Sequence, residues 1–132
     1  NNREKIFPNT EILPLFKIDY LQAVQTIAGN QDQRFSSWFE ALDWMEQTAM
    51  KKDFEIALIG CGAYGMPLAA RIKRKGKKAI HLGGALQLLF GIKGGRWDPN
   101  KKVRKLYNQH WVRPTAMETP KDYKSIEGGC YW

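Results

Sequence analysis

The chain has 132 residues and 21 Lys and Arg against 13 Asp and Glu, a net charge of +8, and 43% of its residues are apolar. That length supports one domain, and that apolar share belongs to a packed globular chain, which excludes collagen-like, mucin-like, coiled-coil and disordered readings. No stretch reaches the ~18 consecutive apolar residues of a membrane-spanning helix, and no apolar signal core follows Asn1-Asn2-Arg3-Glu4-Lys5. A soluble, cytoplasmic protein is expected. Cys61 and Cys130 make neither a disulfide framework nor a zinc spacing, so free thiols are expected. A first residue other than Met, in mid-pattern, points to a processed or truncated product of a longer chain.

In chain order, Ile12 to Ile18 reads as an extended segment broken by Pro14, and Leu21 to Ala28 as a strand or short helix ending at Gly29. Ser37-Trp38-Phe39-Glu40 fits a capping box and predicts a helix from about Trp38 to Lys51, with Trp38, Leu42, Met45 and Ala49 on one stripe. Phe54 to Gly60 is a nearly continuous apolar run that suits a parallel-sheet strand buried on both faces. After the turn Gly60-Cys61-Gly62-Ala63-Tyr64-Gly65, residues Met66 to Lys75 form a helix, with Pro67 in its first turn and Gly76 as its left-handed stop. Lys78 to Leu82 is a second strand closed by Gly83-Gly84, which completes a right-handed strand–helix–strand unit. Short helices follow at Ala85 to Phe90 and Asn100 to Tyr107, and from Trp111 the chain reads as a surface tail. Its Tyr131-Trp132 end docks into a groove or a second subunit.

The fold class is therefore α/β, a Rossmann-like parallel sheet with flanking helices. Its core spans 36–97, with a C-terminal extension over 98–132. Two secure strands cannot stand alone. Further strands must come from the N-terminal third, a partner chain or sequence that is absent, so residues 1–132 read either as one α/β domain or as the C-terminal part of a larger one.

Gly60-Cys61-Gly62-Ala63-Tyr64-Gly65 matches G-x-G-x-x-G directly after a strand and before a helix. Glycines let the backbone approach an anion, and the helix start adds free amides and about half a positive charge. A dinucleotide site also needs an acidic residue about 20 residues on, where this chain has His81-Leu82-Gly83-Gly84. That speaks against NAD and leaves phosphate or sugar contact beside a purely structural role, in which the glycines make a turn and allow close packing. Both glycine turns follow strand C-terminal ends and so share one rim, where open α/β sheets bind ligands. The candidate ligand or phosphate contacts are Gly60, Gly62, Ala63, Tyr64, Gly65, Gly83 and Gly84, joined by Gln87, Lys93, Arg96 and Trp97. Met66 could share that cleft. Lys93 and Arg96 suit a diphosphate, and Trp97 suits stacking on a base or sugar.

The stretches Ile56 to Ala69 and Gly76 to Gly84 resemble the C-terminal half of GT-D-type glycosyltransferase domains, where a small-residue loop and a glycine-ended turn border the nucleotide-sugar cleft. With Gln87 to Trp97 and the closing Glu127-Gly128-Gly129-Cys130-Tyr131-Trp132, the chain is also similar to a set of uncharacterised bacterial proteins associated with surface-polysaccharide clusters. The resemblance implies a nucleotide-sugar-binding, glycosyltransferase-like domain of bacterial polysaccharide biosynthesis. It also implies a divalent metal, Mn or Mg, held at an Asp-x-Glu in an N-terminal half that this chain lacks. Asp53-Phe54-Glu55 matches that pattern but starts a strand, roughly 20 Å from the glycine loop at ~3.3 Å per residue, so no metal ligand is assigned here.

Two other classes stay open: a non-catalytic Rossmann-type nucleotide-binding or regulatory module, and a basic nucleic-acid-associated protein. Arg71, Lys73, Arg74, Lys75, Lys77 and Lys78 form a dense cationic run. Its place at a helix C-terminus, where cations complement the dipole, and the lack of interleaved aromatics disfavour nucleic acid. His81 is the only candidate base, weighed against a packed histidine. Cys61 lies at a helix start, which lowers a thiol pKa, though nucleophilic work would require His81 beside it. The partner expected is a nucleotide sugar or another phosphate-bearing small molecule, and homo-oligomerisation stays open.

Overall fold

A computed structural model describes residues 3–9 and 11–132. The chain is mixed α/β with a two-stranded parallel sheet and helices, and it divides into two compact units, Ile18–Leu86 and Asn1–Lys17 with Gln87–Trp132. The division falls inside the stretch 36–97 that the sequence groups together.

The Ile18–Leu86 unit is ordered by helix α2 (Trp38–Met50), strand β1 (Ile56–Ile59), helix α3 (Gly65–Arg74) and strand β2 (Lys78–His81). These follow the predicted elements to within a residue or two, at the usual fraying of ends. Ser37 caps α2 by accepting from the Glu40 amide at 3.1 Å, while the Glu40 carboxylate reaches the amide and hydroxyl of Ser36 at 2.7 Å, one residue upstream of the expected box partner. The strands pair in parallel, Ile56 with Lys78 through Ile59 with His81. No strand or helix forms between Ile12 and Thr26, and a single 3₁₀ turn stands at Ile27–Gly29.

The core of this unit joins Leu42 and Met45 of α2, Leu68 and Ile72 of α3, Ile59 of β1, and Val24. Leu42, Met45 and Ile72 are fully buried, each contributing about 1.5–3 kcal/mol of transfer free energy. Arg71 of α3 also pairs with Asp43 and Glu46 of α2. The Arg71, Asp43 and Glu46 side chains are 27%, 52% and 17% exposed, so water still screens the pairs in part; burial holds the helices together and the ion pairs orient them. The expectation of a strand buried on both faces is corrected. Ile56 and its neighbour Ile80 are 44% and 46% exposed, because the described helices that pack on this pair, α2 and α3, cover only one face and no third strand or further layer is present among the described residues.

The other unit contains helix α1 (Arg3–Ile6) and helix α5 (Lys101–Arg104), while helix α4 (Ala85–Leu89) carries the chain from one unit into the other. Its core is Phe7, Leu13 and Trp111, with Tyr107 packed against them. The Trp111 indole donates to the Ile6 carbonyl at 3.2 Å and meets the Phe7 ring edge-on. A bridge between Ile92 and Val112 completes it.

The close approach of α3 to β2 makes a quantitative demand on one residue. A Cβ at Gly65 would lie 2.1 Å from two atoms of the His81 ring, although the backbone there is ordinary helix at φ −62°. Gly65→Ala should therefore cost about 1–3 kcal/mol of overpacking in urea unfolding, and adding His81→Ala should return part of the loss as a favourable coupling. Additive losses would mean the ring and the helix are not in contact.

Candidate functional site

The two glycine turns do share one rim of the sheet. The Leu82 amide continues the β1–β2 ladder by donating to the Ile59 carbonyl at 2.8 Å, which brings Gly60 against Gly83. A Cβ on Gly60 would lie 2.8 Å from the Gly83 carbonyl and 2.9 Å from the Leu86 side chain. Together with Gly65 under the His81 ring, this accounts for two of the three motif glycines by close packing. The space their missing side chains open is filled by the protein's own Leu86, His81 and backbone.

Gly62 is different. It is left-handed at φ +54°, it is exposed, and nothing lies within 4 Å of where its Cβ would be. The Gly62 and Ala63 amides donate to no acceptor among the described residues, whereas the Tyr64 amide bonds the Cys61 carbonyl at 3.2 Å and Gly65 closes onto Gly62. Two exposed amides thus stand at the head of the 3₁₀ turn that leads into α3, at the positive end of the helix dipole. Tyr64 faces the other way: it is buried, stacked on Trp38 at 4.7 Å, and its hydroxyl is 3.2 Å from that of Thr26. It is a core residue. Met66, beyond it, is exposed.

His81 packs against Gly65, and its Nδ1 is buried without a hydrogen-bond partner among the described residues. The Cys61 expectation is corrected. Burial pushes its thiol up to about 11, overriding any effect of the helix start.

Gln87, Lys93, Arg96 and Trp97 belong to the other unit, where three of them engage the unit's own aromatic residues or chain end. The Arg96 amide donates to the Cys130 carbonyl at 2.6 Å, its guanidinium meets Cys130 Sγ at 3.3 Å and pairs with Glu127, and it lies over the Tyr131 ring at 4.6 Å. The Gly95 amide reaches the Trp132 carbonyl at 3.3 Å, and Gln87 Nε2 donates to the Tyr131 carbonyl at 2.8 Å. Lys93 sits over the Tyr107 ring at 5.5 Å. The Trp97 indole N–H is buried and unpartnered among the described residues. Residues 127–132 therefore sit on the loop whose cations and indole the sequence offers to a diphosphate and a base.

Among the described residues, no three of His, Cys, Asp and Glu come together as a metal-ion set, and no helix is long and apolar enough to cross a membrane. Asp53 and Glu55 stand at the N-terminal end of β1, where the Phe54 carbonyl between them accepts from Lys77 Nζ at 3.0 Å. A polar concavity, formed by residues near Gln22 and in the run Gln31 to Arg34, matches none of the motifs read from the sequence. Its only signal is an unusual density of side-chain amides. No protein-family model, curated protein or solved structure matches the chain.

The environment of Cys61 sets its reactivity. Raising the thiol from its ordinary 9.0 to about 11 should slow native-state alkylation by iodoacetamide at pH 8 by roughly a hundredfold relative to the urea-unfolded chain, because the thiolate is the nucleophile. Peptide mass spectrometry of timed reactions checks this, and equal native and unfolded rates would contradict the burial described.

Proposed function

We propose that the Ile18–Leu86 unit is a Rossmann-like, phosphate-binding module that holds the diphosphate of a nucleotide sugar at Gly62 and Ala63. It would be the donor side of a GT-D-like glycosyltransferase domain serving bacterial surface polysaccharide. The proposal rests on the open, left-handed Gly62. With the Ala63 amide it presents two unbonded donors, in space no side chain occupies, on the C-terminal rim of a parallel strand pair. Phosphate oxygens accept charge-assisted hydrogen bonds from such amides, and the helix behind them stabilises the negative charge. Gly60 and Gly65 serve the module by letting β2 and α3 close up, which fixes where the amides point. A divalent metal does not fit the described residues, since no group of three His, Cys, Asp or Glu comes together among them.

A second reading, a non-catalytic Rossmann-type regulatory module, is favoured by the packing of His81 and Leu86 onto Gly65 and Gly60. That packing gives two motif glycines a purpose needing no ligand.

A thermal-shift series with UDP-, GDP- and CMP-sugars, each with and without manganese, tests the first reading. A bound ligand at a hundred times its Kd adds about 2.7 kcal/mol of stability, so the midpoint should rise by several degrees for at least one donor. Gly62→Ala should abolish that rise while itself costing about 1–2 kcal/mol for the left-handed backbone. No rise with any donor, or a rise that survives the substitution, would overturn the assignment. A rise with AMP alone would favour the second reading.

A further inference from the structure

The Ile18–Leu86 unit holds an open, mostly polar concavity of about 550 Å³. One wall is the extended run 21–25, another is 31–34, and Trp44 of α2 joins them. The run 21–25 makes no backbone–backbone hydrogen bond among the described residues, which leaves backbone amides and carbonyls beside the lining residues Leu21, Gln22, Ala23 and Gln25 open to a ligand or water.

The side chains have a consistent chemistry. Gln22, Gln31 and Gln33 are exposed, and their amides have no hydrogen-bond partner among the described residues. Gln25 spends its carbonyl on the Ile27 amide at 3.2 Å and keeps its NH₂ group. Each primary amide offers two donors and an acceptor on one short, neutral fork. The Trp44 indole N–H likewise meets no acceptor among the described residues, while the Arg34 guanidinium covers the ring at 4.9 Å.

The charges in this lining cancel. Arg34 grips Asp32 through two parallel contacts, Nε to Oδ1 at 2.9 Å and a terminal nitrogen to Oδ2 at 2.6 Å. The guanidinium holds the Asp32 carboxyl down to about 2, so it stays ionised at neutral pH. An incoming phosphate or carboxylate would find the only cationic fork of the hollow already taken. In a chain of net charge +8, this is a patch built without net charge and dense in groups that both donate and accept.

We propose that this concavity binds a neutral oligosaccharide, its hydroxyls paired with the amides of Gln22, Gln31 and Gln33 and with the unpaired backbone of 21–25. A sugar hydroxyl donates one hydrogen bond and accepts two, which matches side-chain amides on two walls. A peptide strand would use the one extended backbone and leave the facing amides unmatched. The site is separate from the Gly62 rim in residues and in ligand chemistry, and its occupancy is read without any nucleotide.

Isothermal titration of the 132-residue chain with cellotriose, maltotriose and chitotriose, in the absence of nucleotide and metal, tests this. At least one trisaccharide should bind, and its titration should shift the Trp44 Nε1–H resonance in a two-dimensional NMR spectrum. The triple variant Gln22→Ala, Gln31→Ala, Gln33→Ala changes exposed side chains only. It should keep the wild-type melting midpoint and bind about tenfold or more weakly, as the loss of one to three net hydrogen bonds requires. Gln109→Ala, in the other unit, should bind as wild type. No binding of any of the three sugars would overturn the proposal, as would undiminished binding by the triple variant. So would stronger binding of glucose 6-phosphate or of an uncharged extended tripeptide at the same residues. Because no nucleotide is present, failure here leaves the Gly62 thermal shift unaffected, and the converse also holds.

Discussion

The contact on which the Ile18–Leu86 unit depends is the His81 ring lying on the bare backbone of Gly65. It sets the distance between α3 and β2, and any side chain at Gly65 would prise the two apart. With that distance fixed, Leu68 and Ile72 fall on the side of α3 that meets Leu42 and Met45 of α2, and one core forms from both helices and the sheet. The same contact orients the start of α3, so the direction in which the Gly62 and Ala63 amides point is a consequence of how β2 ends. The proposed phosphate site and the core thus share one structural cause.

The limits of the sheet follow from its size. Parallel strands are ordinarily covered on both faces, yet here β1 and β2 pair only with one another among the described residues, and Ile56 and Ile80 are nearly half exposed. The apolar run Ile56-Ala57-Leu58-Ile59 carries the composition of a doubly buried strand and the environment of a singly buried one. Sequence specifies what a strand can tolerate on each face, while the layers that would cover it come from elsewhere in the fold.

Much of the unit was legible for physical reasons that act locally. The Ser37 cap, the stripe on α2, the glycine stops and the parallel pairing all express interactions within a few residues or a short crossover, and they appear as expected. The register of long-range contacts was not legible. Whether a motif glycine faces a ligand or a neighbouring side chain depends on what β2 and α4 bring to it, and only the placement of His81 and Leu86 decides that Gly60 and Gly65 are packing positions. Cys61 fails in the same way: the helix start is visible in sequence, but the burial that raises its thiol is not. Arg96 suits a diphosphate by its planar fork and Gln87 follows the second glycine turn, but the partners that engage them lie 31 to 44 residues away in the closing segment. Leu21 to Ala28 reads in the sequence as a strand or short helix ending at Gly29, yet apart from the 3₁₀ turn at Ile27–Gly29 it forms neither. The run 21–25 instead lies unpaired along the hollow, with Val24 in the core.

Charge is arranged on this unit by the same geometry. The cations from Arg71 to Lys78 lie at the C-terminal end of α3 and the start of β2, where they complement unsatisfied carbonyls, whereas the exposed amides of Gly62 and Ala63 stand at the opposite end of that helix. One helix therefore offers a formal positive surface at one end and a dipolar one at the other. A diphosphate drawn by the overall charge of +8 would meet the lysines as readily as the amides. Discrimination between the ends must come from directed hydrogen bonds, because solvated surface charges are screened over about 8–10 Å at physiological salt. Amides fixed by a packed glycine–histidine contact do not lose side-chain entropy on binding, whereas lysines do. That difference, rather than the number of charges, is what would set the proposed Gly62 site apart from the lysines for a small anionic ligand.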